Sequence, residues 1–176
     1  MLIQGGGYWR RALQAASGTG HCGIVELLLE HGANVHARGG RHGGAIRAVV
    51  YGANLNIVRL LLETGTNGNV PGKEYGTALQ VAAQGGNLQI VQLLLEHGAN
   101  INVPGNFWGM ALLAAATTGH TDIVELLPDM AQRHGAQQRW DCPIKAATYN
   151  GHEHIVKPVL DKVADVNTAG EHVLQA

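Results

Sequence analysis

Cysteine is nearly absent: Cys22 and Cys142 are the only two in 176 residues, and no cysteine pair stands at the short spacing of a zinc knuckle. Long apolar runs are missing too. No stretch approaches the roughly 20 residues that span a bilayer, and the opening "MLIQGGGYWRR" lacks the charged-then-apolar order of a secretion signal. The chain therefore reads as cytosolic or nuclear, with no membrane partner. A charge excess is also missing. The formal net charge of −1 argues against nucleic acid or an anionic membrane as a whole-surface partner, because both reward a strong basic balance. Charge is unevenly placed, however. Residues 1–60 hold Arg10, Arg11, Arg38, Arg41, Arg47 and Arg59 against only Glu26 and Glu30, which reads as a cationic, solvated N-terminal third. No GxxxxGK[ST], GxSxG or HExxH pattern occurs. Gly5, Gly6 and Gly7 are expected to precede a loop rather than to open a helix after a strand, so they are no dinucleotide fingerprint. Nothing in the sequence demands catalysis or a cofactor.

What is present is repetition. "GTALQVAAQGGNLQIVQLLLEHGANI" at 76–101 is matched by "RRALQAASGTGHCGIVELLLEHGANV" at 10–35, and "GGAIRAVVYGANLNIVRLLLETGTNG" lies between them at 43–68. Aligning Ile24, Ile57, Ile90, Ile123 and Ile155 gives intervals of 33, 33, 33 and 32. Five copies fill almost the whole chain, and 45% hydrophobic residues can supply their core.

Each copy reads as helix, tight turn, helix. Ala78 to Gln84 is a short Ala-rich segment, Gly85-Gly86-Asn87 breaks it, and a second periodic run follows from Leu88 to His97. Small residues such as Ala82, Ala83 and Ala114 to Ala116 let neighbouring first helices approach closely, while Ile90, Val91, Leu93, Leu94 and Leu95 make the second helix the more apolar one. One copy cannot bury that surface, and stacking on its neighbours does. Gly32, Gly65 and Gly98 stand where a left-handed C-cap is wanted. Beyond them come Gly- and Pro-rich connectors, "HARGGRHGG", "VPGKEYG" and "VPGNFWG", which read as protruding turns or hairpins. Stacking at about 8 to 10 Å per step would hold Cys22 and Cys142 some 30 to 40 Å apart, far too distant for a disulfide.

The 33-residue period, the "TALQVAA" opening (similar to a TPLHxA signature), the Gly-Asn or Gly-His turn and the "LLLEHGAN" close resemble the ankyrin repeat family over nearly the whole chain. Gln14 and Gln80, where the common motif has His, and the Gly-Gly loop resemble fungal arrays attached to signalling ATPase domains. The resemblance implies an all-α ankyrin repeat solenoid of stacked helix-turn-helix units with protruding loops or hairpins. It forms one domain over 1–176, with copies near 6–38, 39–71, 72–104, 105–136 and 137–169 and a partial sixth at 170–176. It also implies a concave surface, made by the loop tips and the inner helices, that holds a protein partner.

Departures from the family pattern mark other positions. In the fourth copy "LLPDMAQRHGA" is four residues longer than "LLLEHGA", and the connector to Cys142 is five shorter. Pro128 falls near the end of a helix and Pro158 inside one, each removing a backbone hydrogen bond, so the last two copies are expected to be less regular and less stable. Neither end carries the polar cap that terminal repeats use, as if the chain were cut from a longer array.

Ten histidines raise the question of metal or acid-base chemistry. His21, His120 and His152 share one turn slot with Asn54 and Asn87, which points to a hydrogen-bonding role that Asn can also fill. His152 and His154 form an HxH pair without a third ligand at defined spacing. His31 and His97 share a slot at a helix C-terminus, where they suit exposed carbonyls. These are scaffold roles, and no metal site is expected.

One constellation stands apart. Trp9, His42, Tyr75, Trp108 and Trp140 recur in register where the family usually has glycine, beside Tyr8, Arg41, Glu74, Phe107 and Arg139. They read either as loop scaffold or as a binding ridge, since exposed Trp, Tyr and Arg anchor interfaces. The family's inner-helix contributors map to Gly18, Tyr51, Gln84, Thr117 and Tyr149, followed by Thr19, Gly52, Gly85, Thr118 and Asn150. The expected function is non-enzymatic binding of a protein or peptide in a groove floored by small residues and walled by rings. Two alternatives stay open. One is a small-molecule or catalytic groove along the ring column, with Arg41, His42, Glu74 or Asp141 doing polar work; the other is a pure spacer or engineered scaffold.

Overall fold

The computed structural model describes residues 6–39, 42–72, 76–101, 111–133 and 141–161, which hold ten helices and no strand. In chain order these are α1 (Gly6–Thr19), α2 (Cys22–Glu30), α3 (Ala45–Tyr51), α4 (Leu55–Glu63), α5 (Ala78–Gln84), α6 (Leu88–Glu96), α7 (Ala111–Thr118), α8 (Thr121–Arg133), α9 (Asp141–Tyr149) and α10 (153–161). They pair off as the repeats require. Odd-numbered helices stack in one row and α2, α4, α6 and α8 in a second, each pair joined by a tight turn. Contacts are more extensive in the first row, where Ala82, Ala115 and Ala147 are fully buried and hold the backbones close. No described helix is long and apolar enough to cross a membrane.

The core is the repeat's own apolar stripe summed over copies. Ile57, Ile123 and Ile155 are completely buried and Ile90 nearly so. Their counterpart Ile24 is 50% exposed; among the described residues no helix precedes α2 in its row.

Local sequence decides where the helices begin. At α5 the Thr77 hydroxyl accepts from the Gln80 backbone N–H, while Gln80 Oε1 accepts from the Thr77 N–H at 2.8 Å, a reciprocal capping box. The same two positions are Gly44 and Arg47 in the second copy, and α3 starts without a side-chain cap. In the first copy they are Arg11 and Gln14, preceded by Arg10. Arginine is a good helix former and cannot accept the bond that would stop the helix, so α1 runs back to Gly6. The expected loop at "IQGGGYW" is thus corrected over its described part: Gly6 and Gly7 open a helix, and Tyr8 and Trp9 lie within it.

The C-terminal caps follow expectation. Gly32, Gly65 and Gly98 have φ of 78°, 86° and 77°, a region where other residues are strained. The four extra residues of the fourth copy are taken up in α8, which has 13 residues against 9 in α2, α4 and α6. Pro128 therefore sits inside α8 rather than near its end. It forfeits the N–H bond to Val124, but buried Ile123, Val124 and Leu127 before it and half-buried Met130 after it hold the helix through the defect.

Candidate functional site

The first two connectors are closed at their bases by backbone bonds, Gly39 N–H to Gly43 O at 3.4 Å and Gly72 N–H to Gly76 O at 2.9 Å. At the base of the first connector His42 packs against Tyr51 of α3, with ring centroids 5.3 Å apart and planes tilted by 45°. This joins one member of the ring column to one of the inner-helix column. The pair borders an open groove of about 460 Å³ between α1 and α3, floored by Ala15, Gly18, Ala48 and Gly52 and edged by Arg11, Gln14 and Thr19. The floor is low by necessity: a Cβ on Gly52 would stand 2.5 Å from the Gly18 carbonyl oxygen. The inner-helix column continues as exposed Gln84, half-buried Thr117 and Tyr149, which is 92% exposed. Thr117 spends its hydroxyl on the Leu113 carbonyl, 2.7 Å away.

Of the other expected contact residues, Tyr8 and Trp9 belong to α1 as above. Arg41, Glu74, Tyr75, Phe107, Trp108, Trp140 and the neighbouring Arg139 lie outside the described residues.

The shared His/Asn turn slot does more than close its own turn. His120 Nε2–H donates to the Gln84 carbonyl at 3.1 Å and His152 Nε2–H to Thr117 O at 3.0 Å, each reaching back to the preceding copy. Asn54 Nδ2–H reaches Gly20 O at 3.5 Å, while its Oδ1 caps Ile57 N–H at 3.1 Å. Room for these side chains is made by glycine: a methyl at Gly119 would meet the His152 ring at 2.9 Å, and one at Gly86 would overlap His120. His31 and His97 bond the carbonyls of Leu27 and Leu93 through Nδ1–H, both at 2.9 Å, which satisfies a helix C-terminus. Among the described residues no three His, Cys, Asp or Glu side chains gather as metal ligands would. Both cysteines are free thiols.

A second feature escaped the sequence reading. Arg47, at the slot of Gln14 and Gln80, is 3% exposed, and none of its three guanidinium nitrogens has a hydrogen-bond partner among the described residues. Burial lowers its pKa from the ordinary arginine value. It lines a cavity of about 190 Å³ between the first two connectors. The available signal was the register itself, an arginine where two sister copies have glutamine. The equivalent Gln14 turns its amide to the Ala37 carbonyl at 3.4 Å instead.

Comparison with known families places these features. A family model described as "Ankyrin repeats (3 copies)" matches residues 41–105, and one described as "Ankyrin repeat" matches residues 10–40. Comparison with curated proteins finds no match.

Proposed function

Because this chain belongs to the ankyrin repeat family, whose repeats generally bind other proteins, we propose that it is a non-enzymatic interaction module that holds a protein or peptide along its loop and inner-helix face. One observation carries the reading: the groove between α1 and α3 has a floor of Ala and Gly and a wall made by the tilted His42–Tyr51 pair. Small residues let a partner backbone come close, and rings supply rigid contact area at low entropy cost. In this reading the groove continues along the array past Gln84, Thr117 and Tyr149, with Tyr75, Phe107, Trp108 and Trp140 carried on successive connectors. An array of the fungal type is the setting that the Gln14 and Gln80 dialect supports.

The experiment is recovery of partners on the immobilised chain, identified by mass spectrometry, followed by titration calorimetry of variants. Tyr51→Ala, Tyr75→Ala and Trp108→Ala are each expected to cost about 2 kcal/mol or more of affinity, and Arg139→Ala at the rim less than about 1. Circular dichroism should show helix content unchanged. Ring variants that bind like the parent, or that melt the array, make the column scaffold and place the interface elsewhere.

Apart from the alternative of a small-molecule groove along the ring column, the cavity at Arg47 supports a small-ligand site of its own.

A further inference from the structure

The geometry points to a binding site for a small oxyanion, a carboxylate or phosphate, in the cavity between the first two connectors, with the buried Arg47 guanidinium and the Thr66 hydroxyl as its donors. Arg47 lies on α3 beneath residues 35–38 of one connector and Thr66, Asn67 and Val70 of the next. All three of its nitrogens are buried without a partner, and so is Thr66 Oγ1, so two independent donors left unsatisfied line the same cavity. An arginine ordinarily runs its stem along apolar surface and keeps its head in water. Here the head is enclosed, pressed against the bare Cα atoms of Gly43 and Gly72; a Cβ at Gly72 would overlap the guanidinium and one at Gly43 would stand 3.1 Å from it.

Its described surroundings are cationic rather than anionic. No Asp or Glu lines the cavity among the described residues, whereas His36 and Arg38 do. A guanidinium withdrawn from water with its donors unmet is a costly arrangement. A planar or tetrahedral oxyanion relieves it, because the fork of N–H groups matches two oxygens at once and the threonine hydroxyl can serve a third contact. The cavity is below the 300 to 1,000 Å³ common for larger ligands, which suits a small anion. Sister copies make the contrast: Gln80 at the same slot is used up in the capping box with Thr77.

The test follows the thermal midpoint of the full chain at fixed pH and constant ionic strength, with sodium chloride exchanged for sodium phosphate or sodium acetate. Saturable stabilisation by one of the two salts is expected, and the ratio of their half-saturation concentrations assigns the anion class. Arg47→Gln should lose this response, weakening binding about tenfold or more. It should still fold, since Gln occupies the slot in two other copies, and in chloride alone it should melt above the parent. Thr66→Val should weaken the response without abolishing it. In amide NMR spectra phosphate or acetate should shift Gly43, Thr66 and Gly72. No saturable response to either salt, or an equal one in Arg47→Gln, overturns the site. So does a response found only in Glu74→Gln and not in the parent, which would make the chain's own carboxylate the countercharge. Loss of the anion response leaves the groove reading intact, because ring variants and Arg47 variants are read by different ligands.

Discussion

At the scale of single residues, the sister copies act as built-in controls. The turn before each second helix has Gly20, Gly86, Gly119 and Gly151 with φ between 72° and 86°, but Ala53 at 55° in the second copy. An L-residue there is strained by its Cβ. The methyl also sits where the other glycines leave room for a side chain from the next copy, and Asn87 makes no bond back to that turn among the described residues. Ala53→Gly is therefore expected to stabilise the chain by about 1 kcal/mol in urea unfolding, against the usual sign of adding glycine. Cys22 offers a reactivity prediction. Its thiol donates to Glu26 Oε1 at 3.4 Å, and that bond first, then burial and the Glu26 charge, raise its pKa above the ordinary thiol value. The thiolate fraction at neutral pH is correspondingly reduced. Alkylation of Cys22 should then accelerate in Glu26→Gln, with its pH profile moved to lower pH; an unchanged profile removes Glu26 as the cause. Arg47 was in plain view as a departure from Gln14 and Gln80. That it is enclosed was not, because a long cationic side chain normally escapes to water, and only the closure of two connectors over it decides otherwise.

At the scale of elements, the sequence was legible where a local rule acts alone. The expected Ala78–Gln84 segment is α5, and the run from Leu88 ends one residue short of His97, because glycine punctuates both and their apolar periods differ. Legibility failed at α1, where the rule was an absence. Without an accepting side chain at Arg10 or Arg11 nothing halts the helix, and Tyr8 and Trp9 fall inside it rather than in a loop. The junctions between elements were half legible: Asn and His sharing one slot announced a hydrogen bond, while its reach into the preceding copy needed coordinates. Removing one such bond is expected to cost about 1 kcal/mol, so His120→Ala should lower stability by that amount and His120→Asn by less, since Asn54 does the same work. Equal losses from both variants would mean that ring packing, and not the bond to Gln84, matters.

At the scale of the whole molecule, stability is a sum over copies and their interfaces. α8 and α10 each carry an internal proline, Pro128 and Pro158, that forfeits a helical hydrogen bond, whereas α4 and α6 carry none. Amide hydrogen exchange should show residues 121–133 and 153–161 opening before 55–63 and 88–96. Uniform protection, or earliest opening within α5 and α6, contradicts this ordering.

The bonds from His120 and His152 to the preceding turn also bear on how such a chain can lengthen. Each junction needs a glycine in one copy and a histidine or asparagine in the next, and a single 33-residue unit contains both halves, one at each face. A duplication that inserts one unit in register therefore supplies the donor and the vacant space of the new junction together, with no second mutation required. The second copy is the exception, since any descendant of it inherits Ala53 and begins with one junction unmade.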